Sequence, residues 1–264
     1  MLALIAGQGG LPAAIVGAAP GPVLVCELQG FAPEGLTPDI RFRIEHLGSL
    51  IADLTARGVE EVCFAGAIRR PLVEPGQIDA ATAPLVPRLV QAIGAGDDAA
   101  LRAVIGIFEE AGLRVRAAHE IAPALLPPEG VPTQATPDDT ARADAARGAQ
   151  IVAAMGAADV GQSCAVQKGQ ALAIEGVYGT DWMLESLRAR PDAPGGLLYK
   201  APKPGQDRRA DLPMIGPGTV AGAHAAGLAG IAIEAGGVMV LERARVIAEC
   251  DRLGLFLWLR GGAG

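Results

Sequence analysis

Apolar runs of strand length alternate along the chain with segments whose apolar positions recur at helical spacing. Residues 2–6 (LALIA) form an apolar run that ends at Gly7, Gly9 and Gly10, and the apolar segment 11–19 beyond it has helix length. The plan then repeats, with a strand over 22–28, a helix over 47–57 stopped by Gly58, and a strand over 61–65. A helix over 97–111, opened by two aspartates and closed by Gly112, and a strand near 113–118 complete this half. Strands that alternate with helices predict a parallel sheet.

Residues 123–137 (PALLPPEGVPTQATP) are rich in proline and lack any period, the pattern of an exposed connection between domains. The boundary is placed there: a domain over 1–125, a linker over 126–137 and a second domain over 138–264. Thr136, followed by Pro137 and two aspartates, opens an alanine-rich helix that runs to Met155. Residues 164–167 and 171–175 read as a hairpin around Lys168 and Gly169. Alternation then resumes: helix 180–188, strand 197–200, helix 219–226, strands 230–234 and 238–241, a helix ending at Leu253, and a last strand over 255–259. The expected fold is α/β, with a Rossmann-like parallel sheet in the first domain, a mixed α/β second domain, and an active site in the cleft between them.

Composition narrows the function classes. With 264 residues the chain buries a core without disulfides, and with 50% hydrophobic and 19% charged residues it is globular. A net charge of −7 argues against broad electrostatic binding to nucleic acid or anionic lipid, since both reward a positive excess, so any anionic ligand meets a local cluster of cations. The four cysteines are far apart and lie mostly in apolar runs, as small core residues do. The start MLALIAGQGG has no basic leader and no other apolar run reaches about 20 residues, so the expected compartment is the cytoplasm.

Five segments could carry chemistry. GQGGLP (7–12) sits between a strand and a helix, where glycine amides and a helix N-terminus suit a phosphate, with Glu27 at the distance of a ribose ligand. Pro12, however, takes the third glycine position of a dinucleotide fingerprint. KAPKPGQDRRADLPMIG (200–216) sets Lys200, Lys203, Arg208 and Arg209 among Asp207 and Asp211 in an acidic protein. Such a loop can neutralise a pyrophosphate while a carboxylate binds Mg²⁺ or orients water, although it also reads as a solvated charged loop. GTDWML (179–184) and GDD (96–98) are helix starts, and CFAGAIRRP (63–71) places Arg69 and Arg70 beyond a parallel strand. There is no HExxH, GxSxG or GxxxxGK[ST] pattern, so zinc-peptidase, serine-esterase and P-loop chemistries have no support.

Taken together, AGQGGLP, CFAGAIRRP, GDDAALR, Gly161-Gln162, LAIEGVYGTDWML, the basic loop and AGLAGIAIEAGG resemble, in order and spacing, the metal-dependent UDP-2,3-diacylglucosamine pyrophosphatases of lipid A biosynthesis, a family unrelated to the calcineurin-like enzymes. The resemblance implies Mg²⁺-assisted hydrolysis to UMP and 2,3-diacylglucosamine 1-phosphate. It implies an essential Asp211 as metal ligand or water-activating group, with Asp181, Lys203 and Arg209 beside it. Thr180, Lys200, Gln162 and Gln206 would line the site, and Gly7, Gly9 and Leu11 would face the nucleotide. The implied partners are a lipid-linked UDP-sugar and the cytoplasmic face of a membrane touched peripherally, and a homodimer is compatible. Family members commonly read EGTD where this chain has Tyr178-Gly179-Thr180-Asp181, so one acidic side chain is missing: either it is dispensable or the substrate contact is altered, and Glu175 either offers a nearby carboxylate or points the other way on its strand. Two other readings stand beside this one: an NAD(P)-dependent oxidoreductase, resting on the first glycine loop, and a non-catalytic UDP-sugar-binding module.

Overall fold

The structure is a computed structural model that describes residues 1–68, 72–95, 97–205, 207–209 and 212–261, the side chains of residues 95, 97 and 98 excepted. Arg69, Arg70, Gly96, Gln206 and Asp211 therefore lie outside the described residues, as do the Asp97 and Asp98 side chains. The chain forms two compact units. Met1–Pro123 makes the first, joined by the described residues of Asp207–Asp211; Ala124–Gln206 and Leu212–Gly264 make the second.

The first unit follows the predicted alternation: β1 (Leu2–Ala6), α1 (Leu11–Ala18), β2 (Val23–Leu28), β3 (Ile40–Phe42), α2 (Leu47–Ala56), β4 (Glu61–Ala65), α3 (Val86–Ala95), α4 (Asp97–Glu110), β5 (Arg114–Arg116) and α5 (Ala118–Ile121). Its sheet is parallel throughout, in the order β3-β2-β1-β4-β5. Consecutive residues of β1, from Ala3 to Ala6, are all buried, so both faces of the strand are covered and it reads as an unbroken apolar run rather than an alternating one. One face packs with Leu50 and Leu54 of α2 and with Ile105 and Phe108 of α4. The short β3, the proline-started α3 and the four-residue α5 are additions to the predicted elements.

The second unit contains α6 (Asp139–Ala157), β6 (Ser163–Gln167), β7 (Gln170–Ile174), α7 (Gly179–Ser186), β8 (Leu197–Lys200), β9 (Met214–Ile215), α8 (Pro217–Ala225), β10 (Gly230–Glu234), β11 (Met239–Val240), α9 (Arg243–Leu253) and β12 (Phe256–Arg260). The main sheet is mixed, in the order β12-β10-β8-β6-β7: β8, β10 and β12 are parallel, and β6 runs antiparallel to both β7 and β8. The predicted hairpin turns at Lys168 and Gly169, both at positive φ. Asp144 of α6 accepts from both turn amides, at 2.9 and 2.6 Å.

Three local expectations are revised. The cap of α6 is Asp138, whose backbone is extended and whose carboxylate accepts from the Ala141 amide, and not Thr136: the helix starts at Asp139, two residues beyond Pro137. The strand expected over 238–241 is β11, two residues paired with β9 outside the main sheet. Part of the proline-rich segment is not a bare connection: Gly130 bridges Leu259, and the Thr133 hydroxyl accepts from the Leu257 amide at 2.9 Å, which covers the outer edge of β12.

Two outcomes follow from the packing. A Cβ on Gly148 of α6 would lie 2.6 Å from Tyr199 Cβ on β8. The helical gain of alanine over glycine is about 1 kcal/mol, whereas overpacking costs about 1–3 kcal/mol. Gly148→Ala is therefore expected to lower stability in urea titrations. All four thiols are free and buried, and burial pushes Cys26, Cys63 and Cys164 up to about 12 and Cys250 to about 11. Since the thiolate is the reactive form, none should react with a disulfide reagent at pH 8 in the folded protein, and all should react in denaturant.

Candidate active site

In the first unit the order β3-β2-β1-β4-β5 places a topological switch between β1 and β4, where open parallel sheets bind ligands beyond their carboxyl ends. Two glycine turns meet there. The Gly7 amide donates to Ala65 O at 2.8 Å, and Gln8 and Ala67 exchange amide hydrogen bonds at 3.0 and 2.9 Å. The approach admits no side chain: a Cβ on Gly7 would lie 2.7 Å from Ala67 O, and one on Gly66 would lie 2.6 Å from the Gly7 carbonyl. Of the residues expected to face a nucleotide, Gly7 has thus spent its amide, Leu11 buries its side chain, and Gly9, at φ +91°, borders open space. Glu27 is no free ribose ligand either, since it accepts from Arg41 Nε at 3.2 Å.

In the second unit Lys200 ends β8 and is only 8% exposed. Its ammonium donates to Thr180 Oγ1 at 2.8 Å. Thr180, in the first turn of α7, donates to Glu175 Oε2 at 3.1 Å, and the buried Ser163 hydroxyl donates to the same oxygen at 2.6 Å. Four sequence segments converge here for local reasons: β6 pairs with β8 so that Ser163 lies opposite Lys200, β7 ends just before Glu175, and Gly179 at φ +82° turns the chain into α7. Gln162, half-buried, accepts the Ala201 amide through its carbonyl at 3.1 Å, so it neighbours the cluster along β6. Asp181 follows Thr180 but is exposed. Ser163 was missed in the sequence, where nothing marks one serine in an apolar strand.

The basic loop is divided. Lys203 belongs to the second unit and pairs with Asp159 at 2.6 Å. Arg209 belongs with the first unit, holding Asp207 through two guanidinium bonds at 3.0 and 2.7 Å and Glu109 of α4 at 2.6 Å. The Arg209 guanidinium holds the Asp207 carboxyl below its ordinary range. Gln206 and Asp211 lie outside the described residues. Among the described residues no three histidine, cysteine, aspartate or glutamate side chains converge. That pattern would mark a metal bound wholly by protein; Mg²⁺ usually takes one or two carboxylates and completes its shell with phosphates and water, a donor set that carboxylates such as Asp181 fit.

Chemically, the Lys200 cluster presents an ammonium that donates to a hydroxyl, a charged donor of a kind suited to a phosphate oxygen. Beside it lies an exposed apolar set: Val177 is 91% exposed, Tyr178 70% and Trp182 60%, with the two rings 5.3 Å apart.

Comparison with known proteins gives a consistent picture. The LpxI N-terminal domain model matches residues 1–125, and the LpxI C-terminal domain model matches residues 128–258. A relative from Caulobacter vibrioides (strain ATCC 19089 / CIP 103742 / CB 15), named UDP-2,3-diacylglucosamine pyrophosphatase LpxI, is 38% identical over 268 residues, which covers 97% of this chain and 96% of the relative. With both domain models matched in order and a relative aligned along nearly its whole length, this chain belongs to the LpxI family.

Proposed function

We propose that this chain is a hydrolase that splits the pyrophosphate bond of UDP-2,3-diacylglucosamine into UMP and 2,3-diacylglucosamine 1-phosphate in lipid A biosynthesis. The observation that carries the reading is the 38% identity over 97% of the chain to a protein named for that activity. Geometry supports it: Lys200 and Thr180 form a directed cationic cluster at the carboxyl end of a parallel strand, and Glu27 is engaged by Arg41 rather than open to a nicotinamide cofactor.

In the reaction a water oxygen forms a bond to one phosphorus, the bridging anhydride bond breaks, and the leaving phosphate takes its electron pair. Lys200, with Lys203 and Arg209, meets the charge that develops on the phosphoryl oxygens, the main demand of phosphoryl transfer. We assign Asp211 as carboxylate ligand of Mg²⁺ or as the group that activates the water, with Asp181 as a second acid near Thr180. Bound Mg²⁺ would neutralise phosphate charge. Gln162 and Gln206 complete the polar lining, and Gly7, Gly9 and Leu11 are assigned to the nucleotide, of which Gly9 offers the open backbone. The exposed Val177, Tyr178 and Trp182 are assigned to the acyl chains and to peripheral contact with the membrane face that carries them. No described helix is long and apolar enough to cross a membrane.

Purified protein should release UMP from UDP-2,3-diacylglucosamine when Mg²⁺ is supplied, and both removal of Mg²⁺ and Asp211→Ala should abolish release. Turnover that survives both changes would refute the assigned chemistry. Replacing Trp182 by Ser should raise KM for the diacyl substrate about 10-fold, the loss expected when roughly 1.5 kcal/mol of apolar contact is removed. KM for a short-acyl analogue should stay unchanged.

A further inference from the structure

Glu175, for which the sequence leaves open whether it offers a carboxylate to the site or points away, lies within the Lys200 cluster. Its direction is set by its surroundings. Ile174, at the end of β7, is 49% exposed, so the next side chain turns to the opposite side. The Glu175 amide donates to Ser163 O at 2.9 Å. Gly161 lets the backbone settle there, since a Cβ at that position would lie 2.4 Å from Glu175 O. The carboxylate therefore meets Ser163 and Thr180 with one oxygen, at 2.6 and 3.1 Å.

The hydrogen bonds have one consistent polarity. Lys200 has only donors, so Thr180 Oγ1 accepts from it, and the Thr180 proton must then go elsewhere. Glu175 has only acceptors when ionised and takes that proton. Ser163 donates to the same oxygen and lies 3.3 Å from Thr180 Oγ1. With its own proton so committed, Thr180 presents a lone pair to Lys200 and not a competing donor. Tyr178 stands outside the cluster, 70% exposed and against the Trp182 ring.

We propose that Glu175 is a positioning residue for this reaction, which acts through the Thr180 hydroxyl to orient the Lys200 ammonium toward the phosphates of the substrate. The proposal rests on the functional reading above. It assigns Glu175 no contact with substrate.

The experiment compares kcat and KM for UDP-2,3-diacylglucosamine with Mg²⁺ in the full chain and in Glu175→Gln, Thr180→Ala, Thr180→Ser and the double variants. Misdirecting one charged group typically costs roughly 10- to 100-fold in rate, so Glu175→Gln should lose that much in kcat, with KM and the unfolding midpoint nearly unchanged. Glu175→Gln should add nothing in the Thr180→Ala background and should restore its full loss in the Thr180→Ser background, where the hydroxyl remains. Binding of inorganic pyrophosphate, followed by calorimetry, reads the same orientation without turnover and should weaken about 10-fold in Glu175→Gln. Parental kcat and pyrophosphate affinity in Glu175→Gln, losses that multiply in the Thr180→Ala background, or a loss that only tracks a lowered midpoint would each overturn the positioning role. If the parent chain hydrolyses nothing, the functional reading falls, and the pyrophosphate arm alone decides the role of Glu175.

Discussion

The ammonium of Lys200 is nearly removed from water at the end of β8, and a buried charge has to be met by hydrogen-bonding partners or its desolvation is uncompensated. That demand organises the surrounding chain. Thr180 accepts from the ammonium, Glu175 accepts from Thr180, and Ser163 shares the carboxylate. The four groups come from β6, the end of β7, α7 and β8, so the cluster exists only if the sheet register is right. Ser163 lies opposite Lys200, and Cys164 opposite Tyr199. A slip of one residue would exchange the faces of β6 and leave the ammonium facing apolar core. The polar cluster and the antiparallel pairing of β6 with β8 thus specify one another.

The first unit is organised by a different constraint, the contact of two glycine turns. A loop of the GQGG type is often read as a source of free amides for phosphate, yet here Gly7 and Gln8 donate their amides to Ala65 and Ala67. Gly7 and Gly66 are glycines because backbone meets backbone between them. The loop is held firmly beyond β1 and β4, and what it leaves to a ligand is the more exposed backbone at Gly9. Pro12, in the first turn of α1, fits a helix start and not the close helix–strand packing of a dinucleotide fingerprint.

Much of this was legible in the sequence, because most elements are coded locally. Apolar runs closed by glycine gave β1 and β4, and the short apolar runs on either side of Lys168-Gly169 gave the hairpin, in which Gly169 takes its positive φ without strain. The three-residue β3 was not legible: Ile40-Arg41-Phe42 is too short to show a period, and it is held as a strand by pairing with Cys26 to Leu28. The side on which Glu175 points was equally hidden, because it depends on how β7 ends against β6. For the candidate site, the residue types around Thr180 and Lys200 could be picked from the chain, but the partners could not.

Partner choice matters most in the basic loop. Composition suggested four cations free to meet a diphosphate, whereas Lys203 is held by Asp159, and Arg209 by Asp207 and by Glu109, a hundred residues earlier. This does not remove them from phosphate chemistry. A partly exposed ion pair is worth about 0–1 kcal/mol, so exchanging the carboxylate of Asp159 for a phosphate oxygen leaves Lys203 little changed in energy. The bidentate grip of Arg209 on Asp207 is stronger and more directional, so a phosphate would more readily add to that pair than break it. A protein of net charge −7 can thereby keep cations in fixed places without exposing them as unpaired charge.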